Sequence, residues 1–184
     1  MSKSIQHPHD HGPHEEVPSH LSHKKQGTLS LPCVVFTCSD SRTRETDSSG
    51  KLICHLLKEQ GHTIVDYQIL KDEPGDILDR LQEATRSDVS RVIIINGGTG
   101  ISRRDSTFEA VDKFLEKRLE GFGELFRYLS YQDIGSPAML SRATAGIRGK
   151  HVIFSIPGSQ GAVKLAMQQL ILPEIGHLVG ELNK

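Results

Sequence analysis

The sequence predicts an α/β fold in which a parallel sheet is covered by helices on both faces. Two observations support this fold class. Short apolar runs, such as residues 92–95, have the length of buried strands and alternate with longer segments that have the apolar spacing of amphipathic helices. Polar loops, some rich in glycine, follow the strands, and in parallel sheets such loops gather ligands beyond the carboxyl ends of the strands.

The length and composition restrict the size class and the partners of the chain. Its 184 residues suggest one domain of about 150 residues behind a polar N-terminal segment. A net charge of −1 disfavours binding to nucleic acid or to an anionic membrane. The three cysteines form no CxxC pair, which fits a reducing compartment, and no apolar run is long enough to span a membrane. We therefore expect a cytoplasmic protein with no membrane partner.

The N-terminal segment, residues 1–29, is predicted to be a disordered, histidine-rich tail in front of a domain over residues 30–184. It is polar and carries six of the ten histidines, a composition that buries too little apolar surface to fold. Imidazoles bind transition metals, so the histidine run could hold a metal loosely. No carboxylate or cysteine framework closes a defined site there, and a solvated tail is the better interpretation.

The first half of the domain alternates strand and helix. Residues 63–70 illustrate the strand pattern, because apolar and polar side chains alternate along them. Gly61 is a suitable residue to end the helix before them. The strand that opens the domain contains Cys33 and Cys38, which we expect to be buried packing. The predicted elements are a strand over 33–38, a helix over 48–60, a strand over 63–70, a helix over 76–87 and a strand over 92–95.

A glycine loop follows the strand over 92–95 and is the strongest single feature of the chain. Three of the four residues from Gly97 to Gly100 are glycine, which lets the backbone turn sharply and approach a ligand with its N–H groups. A helix opened by Ser106 or Thr107 comes next. Strand, glycine loop and helix N-terminus together predict a phosphate site, because unsatisfied N–H groups and the helix dipole favour an anion.

Two better-known phosphate motifs are absent. Gly50-Lys51 invites a P-loop interpretation, but the first glycine of that motif would fall at Glu45, and Leu52 stands in place of the hydroxyl residue. No strand is followed by the GxGxxG pattern of nicotinamide dehydrogenases, and no acidic ribose partner stands at the expected offset.

The second half of the domain repeats the strand, glycine and helix order once more. A buried strand is followed by Pro157-Gly158-Ser159 and then by a helix. The predicted elements are a helix from 121 that is shorter than the one before it, a short strand over 143–147 turned at Gly149, a strand over 151–156, a helix after Ser159 that Pro173 interrupts, and a last helix beyond that proline.

Five segments, taken in order, closely resemble the MoaB/Mog family of molybdenum-cofactor biosynthesis proteins, shared with the pterin-binding domains of gephyrin and Cnx-type proteins. The resemblance covers about residues 30–180. Two positions depart from the family pattern, since Phe108 and Gln160 stand where proline is usual, and these affect local loop shape. The segments are Thr37-Cys38-Ser39-Asp40-Ser41-Arg42, Gly97-Gly98-Thr99-Gly100 with Arg104-Asp105 and Glu109-Ala110, Gly121-Phe122-Gly123-Glu124, Ala138-Met139-Leu140-Ser141-Arg142-Ala143 with Ala145-Gly146, and Pro157-Gly158-Ser159 with Ala162.

The resemblance implies a three-layer α/β/α sandwich with a mostly parallel central sheet, associated as a trimer or a hexamer. It implies binding of molybdopterin and, in many family members, its adenylylation by ATP with Mg²⁺, which releases pyrophosphate. Other proteins of the cofactor pathway are candidate partners. The alternative is a protein of the same fold that carries molybdopterin without transferring AMP.

The resemblance also assigns residues. Asp105 corresponds to a catalytic carboxylate that holds Mg²⁺ or positions ATP, and Asp72 to a supporting carboxylate in the same site. For Asp105 the competing interpretation is a helix cap, which we disfavour because Ser106 and Thr107 offer hydroxyls there. For Asp72 the competing interpretation is turn chemistry, which stays open. The residues implied to bind pterin and phosphate are Thr37, Ser39, Gly97, Gly98, Thr99, Gly100, Ser141, Arg142, Gly158 and Ser159.

Arginines concentrate positive charge around these loops in a chain that is otherwise nearly neutral. For Arg142, a solvated helix terminus is the competing interpretation, and the match of its forked donors to phosphate favours binding. The other arginines near the loops, to which no individual contact is assigned, are Arg42, Arg44, Arg103 and Arg104.

Overall fold

A computed structural model describes residues 30–102 and 105–184 and contains one six-stranded sheet. The strand order is β2-β1-β3-β6-β5-β4. The first four strands in this order are parallel to one another, and at the other edge β5 pairs antiparallel with β6 and β4 pairs antiparallel with β5. The strands are β1 (Pro32–Cys38), β2 (Thr63–Leu70), β3 (Val92–Asn96), β4 (Lys117–Arg118), β5 (Thr144–Arg148) and β6 (His151–Ile156).

Helices cover both faces of the sheet, which confirms the predicted three-layer sandwich. One apolar cluster lies between one face and helices α1, α4, α5 and α6, and the other lies between the opposite face and α2 and α3. Cys33 and Cys38 belong to these clusters and are buried, as predicted. The helices are α1 (Ser48–Glu59), α2 (Pro74–Arg86), α3 (Thr107–Phe114), α4 (Glu120–Ile134), α5 (Gln160–Ala166) and α6 (Leu172–Leu182).

The second half differs from its prediction in four places. Helix α4 has 15 residues and is longer than α3, which has 8. The two-residue strand β4 and a 3₁₀ helix over Ser136–Leu140 were not predicted. Pro173 does not interrupt the last helical segment, because a π-helical turn over Met167–Ile171 joins α5 to α6 directly. Proline then falls in the first turn of α6, where its missing N–H costs no regular hydrogen bond.

The parallel strands position the candidate site. Strands β1, β2, β3 and β6 end at the same edge of the sheet, so the loops that leave Cys38, Leu70, Asn96 and Ile156 lie together. The predicted tail over residues 1–29, Arg103 and Arg104 fall outside the described residues. Within the described part of the chain, no helix is long and apolar enough to cross a membrane.

Candidate functional site

A cavity of about 530 Å³ lies where the four loops meet. This volume is in the range of small-molecule sites. Both predicted carboxylates, Asp72 and Asp105, line it. Most of the predicted binding residues line it with them, namely Thr37, Ser39, Gly97, Gly98, Thr99, Gly100, Gly158 and Ser159.

The glycine loop has a backbone conformation that other residues rarely adopt. Gly97 and Gly98 have φ angles of +96° and +58°. A Cβ atom on Gly97 would overlap the carbonyl oxygen of Cys38. On Gly98, a Cβ atom would lie 2.5 Å from both carboxylate oxygens of Asp72 and closer still to Oγ1 of Thr107. The absence of a side chain therefore brings the loop against Asp72.

Two N–H groups at the N-terminus of α3 have acceptors within the protein. The N–H of Ser106 donates to Oδ1 of Asp72 at 3.3 Å, and the N–H of Thr107 donates to the Gly98 carbonyl at 3.1 Å. These two helix donors are therefore engaged within the protein. Among the described residues, no acceptor bonds the N–H groups of the glycine loop from Gly98 to Gly100. The loop itself is thus the better source of donors for an anion.

The two carboxylates have separate structural partners. Asp72 is buried, and its Oδ1 also accepts from the Thr107 hydroxyl at 3.0 Å. Oδ2 of Asp105 accepts from the N–H of Ser102 at 2.9 Å, which closes a turn before α3. Ser106 is the N-cap residue of α3, but its hydroxyl makes no capping hydrogen bond, because it donates to Asp72 instead. Asp105 does not cap α3 either, so the helix-cap interpretation of this residue is excluded.

Ser141 and Arg142 lie outside the cavity lining. Arg142 donates through Nε to the Thr99 carbonyl at 2.9 Å and through Nη2 to the Gly100 carbonyl. Its Nη1 forms an ion pair with Glu109, and this hydrogen bond holds the pKa of Glu109 below its usual value. The guanidinium therefore holds the glycine loop through two of its carbonyl oxygens. The role of Arg142 as a phosphate donor stays a prediction.

Phe108 gives this arrangement a contact that the usual proline would not supply. The guanidinium of Arg142 stands over the Phe108 ring, 4.9 Å from its centroid. Such a cation–π contact contributes about 0.5–1 kcal/mol when exposed. The departure from the family pattern at this position thus replaces a fixed backbone angle with a side-chain contact.

Several residues at the cavity have no predicted site role. Asp40 and Arg42, in the loop after β1, and Asn96, the last residue of β3, line it. A polar residue at the carboxyl end of a parallel strand is the signal that could have identified Asp40 and Asn96. Arg44 lies instead over the Tyr67 ring, 5.3 Å from its centroid.

Asp47 was also missed, although it is a fully buried carboxylate beside the site. It caps α1 by accepting from the Gly50 N–H at 2.9 Å. Burial alone would raise the pKa of Asp47, but hydrogen bonds from Thr37, Tyr67, the Gly50 N–H and Arg42 outweigh it and lower the pKa. An aspartate just before a helical pattern, followed three residues later by glycine, carried only a capping signal in the sequence.

A family model described as "Probable molybdopterin binding domain" matches residues 34–177 of the chain. Two curated relatives are similar over most of their length. Molybdenum cofactor biosynthesis protein B of Bacillus anthracis is 52% identical over 163 residues, which cover 88% of this chain and 96% of that protein. The protein of the same name from Staphylococcus carnosus is 54% identical over 157 residues, which cover 84% of this chain and 92% of that protein.

Solved structures give the same result for the fold. A crystal structure of a molybdenum cofactor biosynthesis protein B superposes with a TM-score of 0.84 and 51% identity, covering 86% of this chain and 99% of the other. The tungsten cofactor synthesizing protein MoaB from Pyrococcus furiosus superposes with a TM-score of 0.76 and 37% identity, covering 84% and 98% of the two chains.

Proposed function

The chain belongs to the MoaB/Mog family of molybdenum-cofactor biosynthesis proteins, and from that premise we propose that its cavity binds molybdopterin and transfers an adenylyl group to it. The observation that carries this proposal is the convergence of the glycine loop, Asp72 and Asp105 on one cavity of about 530 Å³. A site for two anionic substrates needs backbone donors for phosphate and carboxylates for a counter-ion, and this cavity has both.

The adenylyl transfer requires little acid–base catalysis by the protein. An oxygen of the terminal phosphate of molybdopterin forms a bond to the α-phosphorus of ATP, and the bond between that phosphorus and the oxygen bridging to the β-phosphate breaks, so pyrophosphate leaves. A phosphate monoester is already an anion near pH 7, which removes the need for a strong general base. Catalysis is then mostly positioning and charge stabilisation.

Different residues bind the phosphates and position the loops. The N–H groups of the glycine loop from Gly98 to Gly100 bind phosphate oxygens, and the buried Asp72 keeps that loop and α3 in register through Ser106 and Thr107. Ser159, which also lines the cavity, caps α5 by accepting from the Ala162 N–H.

Mg²⁺ fits the oxygen donors of the cavity. Asp105 and Asp72 would hold the ion, which supplies positive charge against the phosphates when bound. Within the described residues, no group of three or more His, Cys, Asp or Glu side chains is arranged to hold a metal ion. Mg²⁺ is commonly bound by one or two carboxylates together with substrate phosphates and water, so this sparse donor set suits an ion that arrives with ATP.

Binding of molybdopterin is tested by equilibrium titration of the purified protein at increasing salt. We expect the affinity to fall with ionic strength, because the ligand is an anion held by N–H dipoles and nearby arginines. Thr99→Ala should weaken binding by about 1–3 kcal/mol, the scale of a lost hydrogen bond to a charged group.

Thr85→Ala is the matched control, because the Thr85 hydroxyl bonds the Leu81 carbonyl of its own helix, away from the cavity. It should bind molybdopterin like the parent. If Thr99→Ala also binds like the parent, the ligand has been assigned to the wrong loop.

We infer in addition that the protein self-associates, as a trimer or a hexamer, through the outer face of α4 and the 3₁₀ helix that follows it. Large apolar side chains are exposed along this surface, including Tyr131 at 63% and Met139 at 80%. Contiguous exposed apolar surface of this kind marks interaction sites in soluble proteins. The remaining exposed members are Leu125, Tyr128, Ile134 and Leu140.

Tyr131→Glu should dissociate the oligomer, since it places a charge in the centre of the contact. Sedimentation equilibrium should give a multiple of the 20.3 kDa chain mass for the parent and a lower mass for the variant. Val89→Glu is the control, because Val89 is an exposed apolar residue outside this surface. A monomeric parent protein would contradict the inference.

A further inference from the structure

Asp47 has more partners than a helix cap needs. Its carboxylate accepts from the Tyr67 hydroxyl at 2.6 Å and from Nη1 of Arg42 at 3.2 Å, in addition to the Gly50 N–H. Asn96 adds a directed step, because its Nδ2 donates to Oγ1 of Thr37 at 2.8 Å. An amide NH₂ group only donates, so the Thr37 hydroxyl accepts there and is left to donate its own proton to Asp47.

The absence of a side chain at Gly50 leaves room for this carboxylate. A Cβ atom on Gly50 would lie 2.6 Å from Oγ1 of Thr37 and closer still to Oδ2 of Asp47. Burying an ionised carboxylate is unfavourable unless hydrogen bonds and an opposite charge compensate it. An N-cap requires only an acceptor for one N–H group, which asparagine or serine supplies without a charge. Capping of α1 therefore does not explain why the buried residue at this position is charged.

Arg42, which bonds Asp47 through Nη1, bonds a second loop through Nη2. Nη2 of Arg42 donates to the Gly158 carbonyl at 3.3 Å, and the Ser49 hydroxyl donates to the same carbonyl at 2.8 Å. Gly158 belongs to the loop after β6, more than 100 residues along the chain from Arg42. The loop after β1 is thereby joined to the loop after β6 across the cavity.

Gly158 in turn sets the position of the glycine loop. A Cβ atom on Gly158 would lie 3.0 Å from Cα of Gly97, so the two backbones are in direct contact. Asn96, the residue before Gly97, is held from the opposite side by its bonds to Thr37 and to the Phe36 carbonyl. Three walls of the cavity therefore depend on one hydrogen-bonded network.

We propose that Asp47 is a positioning residue whose buried carboxylate orients Arg42, so that Arg42 fixes Gly158 and with it the phosphate-binding walls of the cavity. Asp47 touches no substrate in this role and acts through Arg42. The expected effect on substrate binding rests on the proposed function, whereas the effect on the Gly158 loop does not depend on it.

Two single variants and their combination test the proposal. Asp47→Asn keeps an acceptor for the Gly50 N–H and removes the charge, and Arg42→Gln leaves the cap intact and removes the bridge. The full-length protein without ligand is followed by the ¹⁵N shift of the Ser159 amide, which adjoins the Gly158 carbonyl. We expect both single variants to move this resonance in the same direction, and the double variant to move it no further than the larger single change, since the residues act in series.

The control is Asp112→Asn, which removes the carboxylate partner of Arg118 outside the cavity lining. It should leave the Ser159 resonance in place. An unmoved Ser159 resonance in Arg42→Gln, or strictly additive shifts in the double variant, would overturn the proposal. If Asp47→Asn does not fold, Arg42→Gln alone decides, because Arg42 is partly exposed and its removal leaves the cap in place.

Enzyme kinetics give a second readout that a purely structural role would not move. In adenylyl transfer, both variants should raise the KM for molybdopterin about fivefold to tenfold and change kcat less than threefold, the pattern of lost binding. A lower melting temperature with unchanged KM would show that Asp47 only stabilises the fold. If the parent protein transfers no adenylyl group, the proposed function fails, and the Ser159 resonance still decides the positioning role.

Discussion

Asp105→Asn should reduce adenylyl transfer by a factor of about 100 or more, the scale for losing a key electrostatic group in an active site. The substitution keeps the shape of the side chain and an oxygen that can accept from the Ser102 N–H, so the turn before α3 should persist. Molybdopterin is itself an anion, and removing a nearby negative charge should leave its binding unchanged or slightly tighter. Transfer rate and melting temperature are measured on the same variant.

Asp79→Asn is the control for Asp105→Asn, since Asp79 is an exposed aspartate on α2 outside the cavity lining. It should leave both transfer and melting temperature unchanged. A structural role for Asp105 predicts the opposite pattern, a loss of about 1 kcal/mol of stability with turnover retained. Near-normal turnover in Asp105→Asn would remove the catalytic assignment.

Gly98→Ala should cause a large loss of stability. Alanine in the left-handed region costs about 1–2 kcal/mol, and the new Cβ atom would also collide with Asp72 and Thr107. Overpacking of this kind adds about 1–3 kcal/mol. We expect the free energy of unfolding to fall by about 2–5 kcal/mol and transfer to fall with it, because Asp72 is displaced. Denaturant titration measures the first quantity.

Gly149→Ala separates the two contributions. Gly149 has a φ angle of +55°, close to the +58° of Gly98, but a Cβ atom there would meet nothing within 4 Å. This variant should lose only the backbone part, about 1–2 kcal/mol, and keep its transfer activity. Equal losses at the two glycines would show that the contact with Asp72 is unimportant.

Much of the fold could be predicted because it depends on local patterns. The strand over Thr63–Leu70 follows from alternation, and the one over His151–Ile156 follows from a continuous apolar run. The predicted break at Pro173 is wrong for a reason that local rules do not contain. The π-helical turn before it lets the segment continue while its apolar side chains stay packed on the sheet.

Some features of the candidate site could likewise be predicted from the sequence, and others could not. Its location at the carboxyl ends of the parallel strands follows from topology, the glycine loop is a short motif in the sequence, and both aspartates were assigned by the family resemblance. The contacts of Arg142 and Arg42 could not be found, because Arg142 bonds Thr99 across 43 residues and Arg42 bonds Gly158 across 116. A sequence shows the donors of such bonds but not which distant carbonyl they contact.

One incubation tests the central claim most directly. The parent protein is mixed with molybdopterin, Mg²⁺ and ATP labelled at the α-phosphate, and the products are separated and quantified. We predict one adenylyl-molybdopterin for each pyrophosphate released, and a yield lower by a factor of about 100 with Asp105→Asn under the same conditions. Saturating binding of molybdopterin with no labelled pterin formed would contradict the account and show that the protein carries molybdopterin without adenylylating it.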